Sequence, residues 1–445
     1  MTLVPALSSR TLGAYRIALG CAMIWAFYGL VIPATPREFY RHLAGPDLEI
    51  IHAIADSATA IRWVHGVAIA AALLFTLGLF TRVAYAVMLA CVTALALAML
   101  EYGSVHHLGV PLISMLGWLT IRWGDSLSLD RLRTHAPPPD AAPSAVNGFA
   151  IWWPGLVVGL ALATAGCAKL ARSGWGWVSS GAVRYHFVTD GPNAPVTWGL
   201  WIAIHPWVAV VASGAALLLE LTFILFAIQP KVWMRFVAFA LGGALFSGLF
   251  LFQGVYWPTW MMLFLAFLPW TWLDRDRPAV RTGGLSMVQR AAVVAILAVQ
   301  GYAVWNQFQV EPFVSNFPMY SGTFDSPDDY DARMGWRFMR FDTARGDNRD
   351  ILSLVQTLPE DQQVDLTRLA EHQAGVPTVT PVPGPMRITN LCNVYRSRAA
   401  IPQEVTLAVS RRGFDWTTGA FRTAYVTIPT GPVQLAALCE SNGSP

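Results

Sequence analysis

Long runs of apolar residues are the feature that most constrains this chain, because a run of about 20 apolar residues crosses a bilayer only as a helix. Charged residues make up 13% of the 445 residues, whereas an ordinary soluble domain has about 25%. This composition excludes a soluble enzyme, a disordered chain and a nucleic-acid-binding protein. We therefore predict an all-α polytopic membrane bundle. Nine windows of suitable length lie near 12–32, 62–80, 83–101, 105–122, 149–169, 207–229, 232–251, 256–273 and 287–306.

The distribution of arginine and lysine predicts the orientation of the bundle, because cytoplasmic loops carry an excess of both. With the N-terminus inside, the inner loops contain Arg10, Arg82, Arg122, Arg131, Arg133, Lys231, Arg235, Arg275, Arg277, Arg281 and Arg290. The outer loops contain only Arg37, Arg41, Arg62, Lys169, Arg172 and Arg184. Nine crossings then place the C-terminus outside. We expect an N-in, C-out protein of a bacterial inner membrane.

The chain divides into a transmembrane domain over 1–306 and a small extracytoplasmic α+β domain over 307–445. Alternating apolar and polar residues predict strands at 336–341, 387–395, 404–411 and 421–428. Residues 359–373 have the start and stop signals of a helix. The Trp- and Gly-rich segment 173–206 is too long for a tight turn, so we expect it to lie along the outer interface or to fold back into the bundle.

Lysine is rare in this sequence, and Lys169 and Lys231 are the only two. Lys169 ends the fifth apolar window, in the stretch TAGCAKLARSGW. One interpretation is a side chain that extends from the helix end to the membrane interface. The other is a desolvated amine that serves as a base near neutral pH.

Two further places put ionisable groups in or beside apolar windows, where a charge without a partner is costly. His106 and His107 precede the fourth window, and adjacent helical residues point about 100° apart, so we expect only one of them to face the interior. They are either interfacial residues without a role or donors to a bound substrate. Arg16 and Glu220 lie within apolar windows, and we predict a structural ion pair between them, with a proton relay as the alternative.

Histidines and cysteines do not form a metal motif. Eight of the nine histidines fall on the predicted outer side, without metal-ligand spacing: His42, His52, His65, His106, His107, His186, His205 and His372. We predict no metal site.

Cys21, Cys91 and Cys167 lie in apolar windows and are interpreted as small packing residues. Cys392 and Cys439 lie in the predicted outer domain, where disulfides persist. We predict a disulfide between them, which contributes about 4 kcal/mol to the stability of the domain; two unpaired thiols are the alternative.

Several stretches, in this order, resemble the HTTM superfamily, the membrane domain shared with vitamin K-dependent gamma-carboxylase. They are LGAYRIALG (12–20), LGLFTR (77–82), VHHLGVPLISMLGWLTIRWGDSLSLDRL (105–132), ATAGCAKLARSGW (163–175), LLELTFIL (218–225) and the weaker NFPMYS (316–321). The resemblance implies that Lys169 is the base that deprotonates a hydroquinone and that His106 or His107 assists it.

In that family the hydroquinone reacts with O2, a glutamate side chain is carboxylated by CO2, and the quinone leaves as its epoxide. The resemblance therefore implies a reduced quinone of the vitamin K or menaquinol type as cofactor, O2 and CO2 as co-substrates, and a secreted peptide or protein as substrate. Only the 139 residues of 307–445 follow the last apolar window, fewer than the carboxylase uses to hold its substrate. The alternative is a non-enzymatic membrane factor that helps to mature or export a secreted peptide. A transporter is disfavoured because we find no internal repeat.

Overall fold

The computed structural model of the protein describes most of the chain. The described residues are 3–30, 48–100, 106–134, 142–191, 194–275, 284–306, 308–315, 320–334, 338–343, 404–427 and 433–434. The predicted strand at 387–395 and the predicted helix at 359–373 lie outside these residues.

Six helices are long and apolar enough to cross a membrane. They are α3 (Ala58–Leu77), α4 (Thr81–Leu100), α7 (Ala145–Ser173), α11 (Pro206–Ala227), α12 (Val232–Gln253) and α14 (Met287–Asn306). Each coincides with one of the nine predicted windows, so six of those predictions are confirmed. The chain is therefore a multi-pass membrane protein whose apolar helices contact lipid.

The three remaining windows have less regular structures. The first forms α1 (Ser9–Tyr28), which is 20 residues long and contains Arg16. The fourth forms α5 (His106–Trp118), which is only 13 residues long. The prediction of a continuous helix at 256–273 is wrong. This segment consists of the short helix α13 (Pro258–Met261) and two 3-10 helices, Met262–Phe267 and Trp270–Asp274. Proline at position 269 explains the second break, since it lacks the N–H that a helix interior needs.

The irregular segment 258–274 nevertheless extends along the whole of α1. At one end, Asp274 accepts hydrogen bonds from the Ser8 backbone (2.8 Å), the Ser8 hydroxyl (2.6 Å) and the Thr11 hydroxyl (2.8 Å). At the other end, a Cβ built on Gly29 would lie 3.8 Å from Pro258. The segment is therefore antiparallel to α1. We call the end of the bundle at which α1 begins the proximal end and the other the distal end.

Serine side chains define the start of several helices. Ser8, Ser57 and Ser144 each accept a hydrogen bond from the backbone N–H three residues later, at α1, α3 and α7, which is the usual N-cap arrangement. α3 ends at Gly78, whose φ of +71° is in the left-handed region and whose missing side chain leaves room for Ser128.

Short helices connect the long ones. They are α2 (Glu49–Ala55), α6 (Leu129–Thr134), α8 (Gly176–Ser179), α9 (Val183–Asp190), α10 (Trp198–Ala203) and, after the bundle, α15 (Pro327–Met334). Helices α8 to α10 come from segment 173–206, and the side chains of Trp177 and Tyr185 are buried. This segment therefore packs into the distal end of the bundle.

An antiparallel sheet follows the bundle, with strands β1 (Phe338–Thr343), β2 (Glu404–Phe414), β3 (Phe421–Thr427) and β4 (Val433–Gln434). The order is β1-β2-β3, and β4 also pairs with β2. Three of the predicted strands are thus confirmed. The turn between β2 and β3 contacts the distal end, where the rings of Trp416 and Tyr185 are 5.5 Å apart and the Arg184 guanidinium lies 4.6 Å from the Trp416 ring centre.

Candidate functional site

A buried ion pair joins α7 to α11. The Lys169 ammonium donates a hydrogen bond of 2.8 Å to Oε1 of Glu220, and the two side chains are 4% and 11% exposed. Gly166 allows the two helices to approach, because a Cβ at this position would lie 2.9 Å from the Leu221 side chain and 3.3 Å from that of Glu220. Two residues from different apolar helices therefore provide a positive and a negative group inside the bundle.

The predicted ion pair between Arg16 and Glu220 is wrong. Arg16 is completely buried, but its Nη1 donates to the carbonyls of Trp123 (2.8 Å) and Ser126 (3.2 Å), and its Nη2 donates to that of Leu127. The loop after α5 therefore binds the guanidinium at the proximal end. Glu220 takes Lys169 as its partner instead, because α11 packs against α7 there.

The ion pair lies at one side of an apolar pocket. Among the residues that the structure describes, Lys169 and Glu220 are the charged residues that line it, and the other lining residues are Ala161, Leu162, Ala165, Leu245, Phe246, Leu249, Trp257, Trp260 and Tyr320. An apolar, aromatic wall with one charged pair is suited to a planar ring that carries a polar group.

Aromatic side chains complete the surroundings of Lys169. Its ammonium lies 5.3 Å from the ring centre of Trp177 in α8, a distance typical of a cation–π contact. The indole N–H of Trp177 donates a 2.8 Å hydrogen bond to the carbonyl of Tyr320. Lys169 therefore does not extend to the interface, and its ammonium is held inside the protein.

His107 lies behind the wall of the pocket. Its ring stacks on Trp257, with ring centres 5.6 Å apart and an angle of 8° between the planes. Its carbonyl accepts a hydrogen bond from the indole of Trp260. Both tryptophans line the pocket, so His107 positions the wall. His106 begins α5, but its side chain lies outside the described residues.

His186 in α9 is a residue of this region that sequence reasoning did not select. Its ring meets that of Tyr320 edge to face, with the centres 4.8 Å apart. Burial, together with the positive charge of Lys169, lowers the pKa of His186 to about 4, so the imidazole is neutral at pH 7. The only signal in the sequence is its place among the outer histidines, because nothing local shows that α9 packs beside Lys169.

Residues 320–323 form a strap across the distal side of the site. Arg172 donates to the hydroxyl of Ser321 (3.0 Å), the Ser173 hydroxyl donates to its carbonyl (2.9 Å), and Ser180 bonds to Thr323 (2.7 Å). Tyr320 has a φ of +53°, which is costly for a residue with a bulky side chain. These bonds hold the strained backbone and direct the Tyr320 ring to the pocket.

The cysteines that the structure describes lie in the long helices α1, α4 and α7. Cys21, Cys91 and Cys167 are free thiols, as expected for residues of membrane helices. Cys392 and Cys439 lie outside the described residues, so the disulfide between them stays a prediction.

No family model matches the chain, and neither the curated proteins nor the solved structures compared with it include a match.

Proposed function

We propose that the chain is an integral membrane enzyme resembling vitamin K-dependent gamma-carboxylase, of the HTTM superfamily, in which Lys169 takes a proton from a lipid-soluble hydroquinone. The observation that carries this proposal is a rare lysine, 3% exposed, paired with Glu220 at the edge of an aromatic pocket. Such a pocket accepts the ring of a hydroquinone by apolar contact. The charged pair of Lys169 and Glu220 then contacts a hydroxyl group of the hydroquinone.

In the proposed topology, nine segments cross the membrane, and the N-terminus lies in the cytoplasm of a bacterial cell. The alternating directions of successive segments support nine crossings, since segment 258–274 is antiparallel to α1 and extends along its whole length. Arg82, Arg131 and Arg133 lie near the proximal end, where Asp130 binds the start of α4. Their charges favour the cytoplasmic side for this end. The site and the C-terminal sheet then belong to the outer half.

The proposed reaction begins when Lys169 is neutral, because only the free amine accepts a proton. Glu220 makes this state accessible, since a buried carboxylate 2.8 Å from the ammonium can take its proton and leave two neutral groups in an apolar environment. A hydroquinone held by the aromatic wall and Lys169 would supply the chemistry by which O2 is reduced and a glutamate γ-carbon loses a proton and adds CO2. The products are the quinone epoxide, water and the new carboxylate. The remaining residues exclude water and orient the ring.

The proposal assigns different roles to the two histidines. His107 is a positioning residue, because its ring supports Trp257 and its carbonyl holds Trp260. His106 stays the candidate for direct assistance that the resemblance implies. A secreted peptide or protein that contains glutamate is the proposed second substrate.

Turnover of a reduced quinone tests the function directly. The purified protein in lipid nanodiscs is incubated with menaquinol, O2 and bicarbonate, and mass spectrometry measures quinone epoxide. We expect no epoxide from Lys169→Ala, and none from Lys169→Arg, because a guanidinium does not give up its proton at working pH. Lys231→Arg is the matched control, since Lys231 is the other lysine and is exposed. Epoxide formation by Lys169→Arg contradicts the assignment.

A wild-type protein that forms no epoxide would favour the second candidate, a membrane factor for maturation or export of a secreted peptide. The feature that favours it is the contact of the β2–β3 turn with α9, which places the outer sheet beside the bundle. Crosslinking of that turn to the secreted peptide in cells distinguishes this role from catalysis.

A further inference from the structure

Arg235 is a buried arginine near the start of α12, and its positive charge has no carboxylate partner within the described part of the chain. Its side chain is only 1% exposed. Nη2 donates hydrogen bonds to the carbonyls of Ile151 (3.0 Å) and Ala266. Nε and Nη1 have no hydrogen-bond partner among the residues that the structure describes. Most of the guanidinium is therefore buried without an acceptor from the protein.

Arg16 is a second completely buried arginine, and its surroundings are different. It donates from both Nη1 and Nη2 to three carbonyls, so that only Nε lacks a partner. Its charge also interacts with the carboxylate of Asp130. Arg235 donates from one nitrogen, and no carboxylate interacts with its charge. Because a buried charge is costly unless it is paired, Arg235 is the arginine that requires an anion.

The hydroxyl group of Tyr15 in α1 is a second buried donor in this region. The Tyr15 side chain is 0% exposed, and its hydroxyl has no partner among the described residues. It lies close enough to the Arg235 guanidinium for the two groups to interact electrostatically. Both side chains also pack on segment 258–274, since Arg235 donates to Ala266 and the ring centres of Tyr15 and Trp270 are 5.3 Å apart. Donors from α1 and α12 therefore lie near each other beside the 3-10 helices.

This region is separate from the pocket that Lys169 and Glu220 line. In α12, Arg235 precedes the lining residue Leu245 by ten positions, which corresponds to about 15 Å along an α-helix. Tyr15 lies in the second turn of α1, which begins at the proximal end. The donors therefore belong to the proximal half of the bundle.

We propose that Arg235 and Tyr15 form an internal binding site for one small inorganic anion with the size and charge of chloride. The Nε–H and Nη1–H groups and the phenolic O–H all donate hydrogen bonds, and charged donors bind anions most strongly. A water molecule is a less suitable occupant, because its own hydrogens also need acceptors and it leaves the guanidinium charge unpaired. The complete burial of both side chains favours a small ion over an organic acid.

The proposed anion stabilises the part of the bundle in which the backbone is irregular. Segment 258–274 contains 3-10 turns, and non-helical backbone at membrane depth needs hydrogen-bond partners from the protein. Arg235 supplies one such partner at the carbonyl of Ala266. An anion that neutralises the guanidinium lowers the cost of placing this donor inside the bundle. The inference concerns stability and is independent of the proposed reaction.

The stability of the purified protein in different anions tests the site. The free energy of unfolding is measured in detergent while chloride replaces gluconate at constant ionic strength. An ion that binds only the folded protein raises this free energy according to its dissociation constant, so the series gives the Kd for chloride. We expect chloride and bromide to stabilise the wild type relative to gluconate. Tyr15→Phe keeps the ring and removes the hydroxyl, and it should raise the Kd about tenfold. Arg235→Met should abolish the difference between chloride and gluconate.

Tyr85→Phe is the matched control. Tyr85 is also buried and lies in the same aromatic cluster, with its ring centre 6.4 Å from that of Trp123, but its hydroxyl already donates to the carbonyl of Met115 (2.6 Å). Its Kd for chloride should therefore equal that of the wild type. Equal stability of the wild type in chloride and gluconate would overturn the inference, as would a chloride dependence that Tyr15→Phe leaves unchanged. The second criterion holds even if Arg235→Met does not fold.

Discussion

The ion pair between Lys169 and Glu220 gives a quantitative test of the site. We consider three variants: Lys169→Met, Glu220→Leu and the double variant. Each single change leaves one ionisable group in the apolar interior without its partner, whereas the double change leaves two apolar side chains of similar size. The structural role and the chemical role of the pair can then be separated, since stability does not depend on turnover.

The expected magnitude follows from the burial of the pair. Because the side chains are only 4% and 11% exposed and 2.8 Å apart, removing one partner should reduce the free energy of unfolding by about 3–5 kcal/mol. Replacing both is expected to be neutral or stabilising by about 1–4 kcal/mol. The coupling energy between the two positions is then at least about 6 kcal/mol, because two single losses of about 3 kcal/mol or more disappear in the double variant.

The free energy of unfolding is measured by denaturation of the detergent-solubilised protein, with all variants in the same detergent. Lys231→Met is the control, because Lys231 is exposed and should change stability by no more than about 0.5 kcal/mol. Additive effects of the two single changes would refute the reasoning, since independent positions have no coupling energy.

Two further predictions concern other parts of the chain. Burial acts to raise the pKa of Asp130, but hydrogen bonds from Thr81 and Phe80 hold this pKa below its ordinary value. The stability that the ionised carboxylate contributes is therefore present at neutral pH and is lost as the pH falls below about 4. Asp130→Asn should therefore lower the midpoint temperature of thermal unfolding at neutral pH. This midpoint should also change less between neutral and acid pH than it does in the wild type, and an unchanged pH dependence would argue against this role of Asp130. Peptide mapping of the non-reduced protein should recover a Cys392–Cys439 disulfide, whereas ready labelling of both thiols would reject it.

The apolar sequence determines most of the bundle by itself. Six of the nine predicted windows are helices long and apolar enough to cross a membrane. Helix formation in a bilayer depends on local composition, because every backbone group must find its partner within the same segment. Helix starts such as Ser8 and Ser144 are also local signals. The predictions are less accurate at 256–273, because a run of apolar residues does not distinguish an α-helix from the 3-10 turns observed there.

The sequence also indicates the importance of Lys169 and Glu220, since each is an ionisable residue in an apolar window. The sequence does not reveal that Lys169 and Glu220 are partners. Arg16 is a second basic residue in an apolar window, and Glu220 lies 51 positions after Lys169 in the sequence. The packing of α7 on α11 decides the pairing, while Arg16 donates to the carbonyls of the loop after α5. His186 joins the site for the same reason: its ring meets that of Tyr320, a contact between α9 and residues 320–323 that no local pattern encodes.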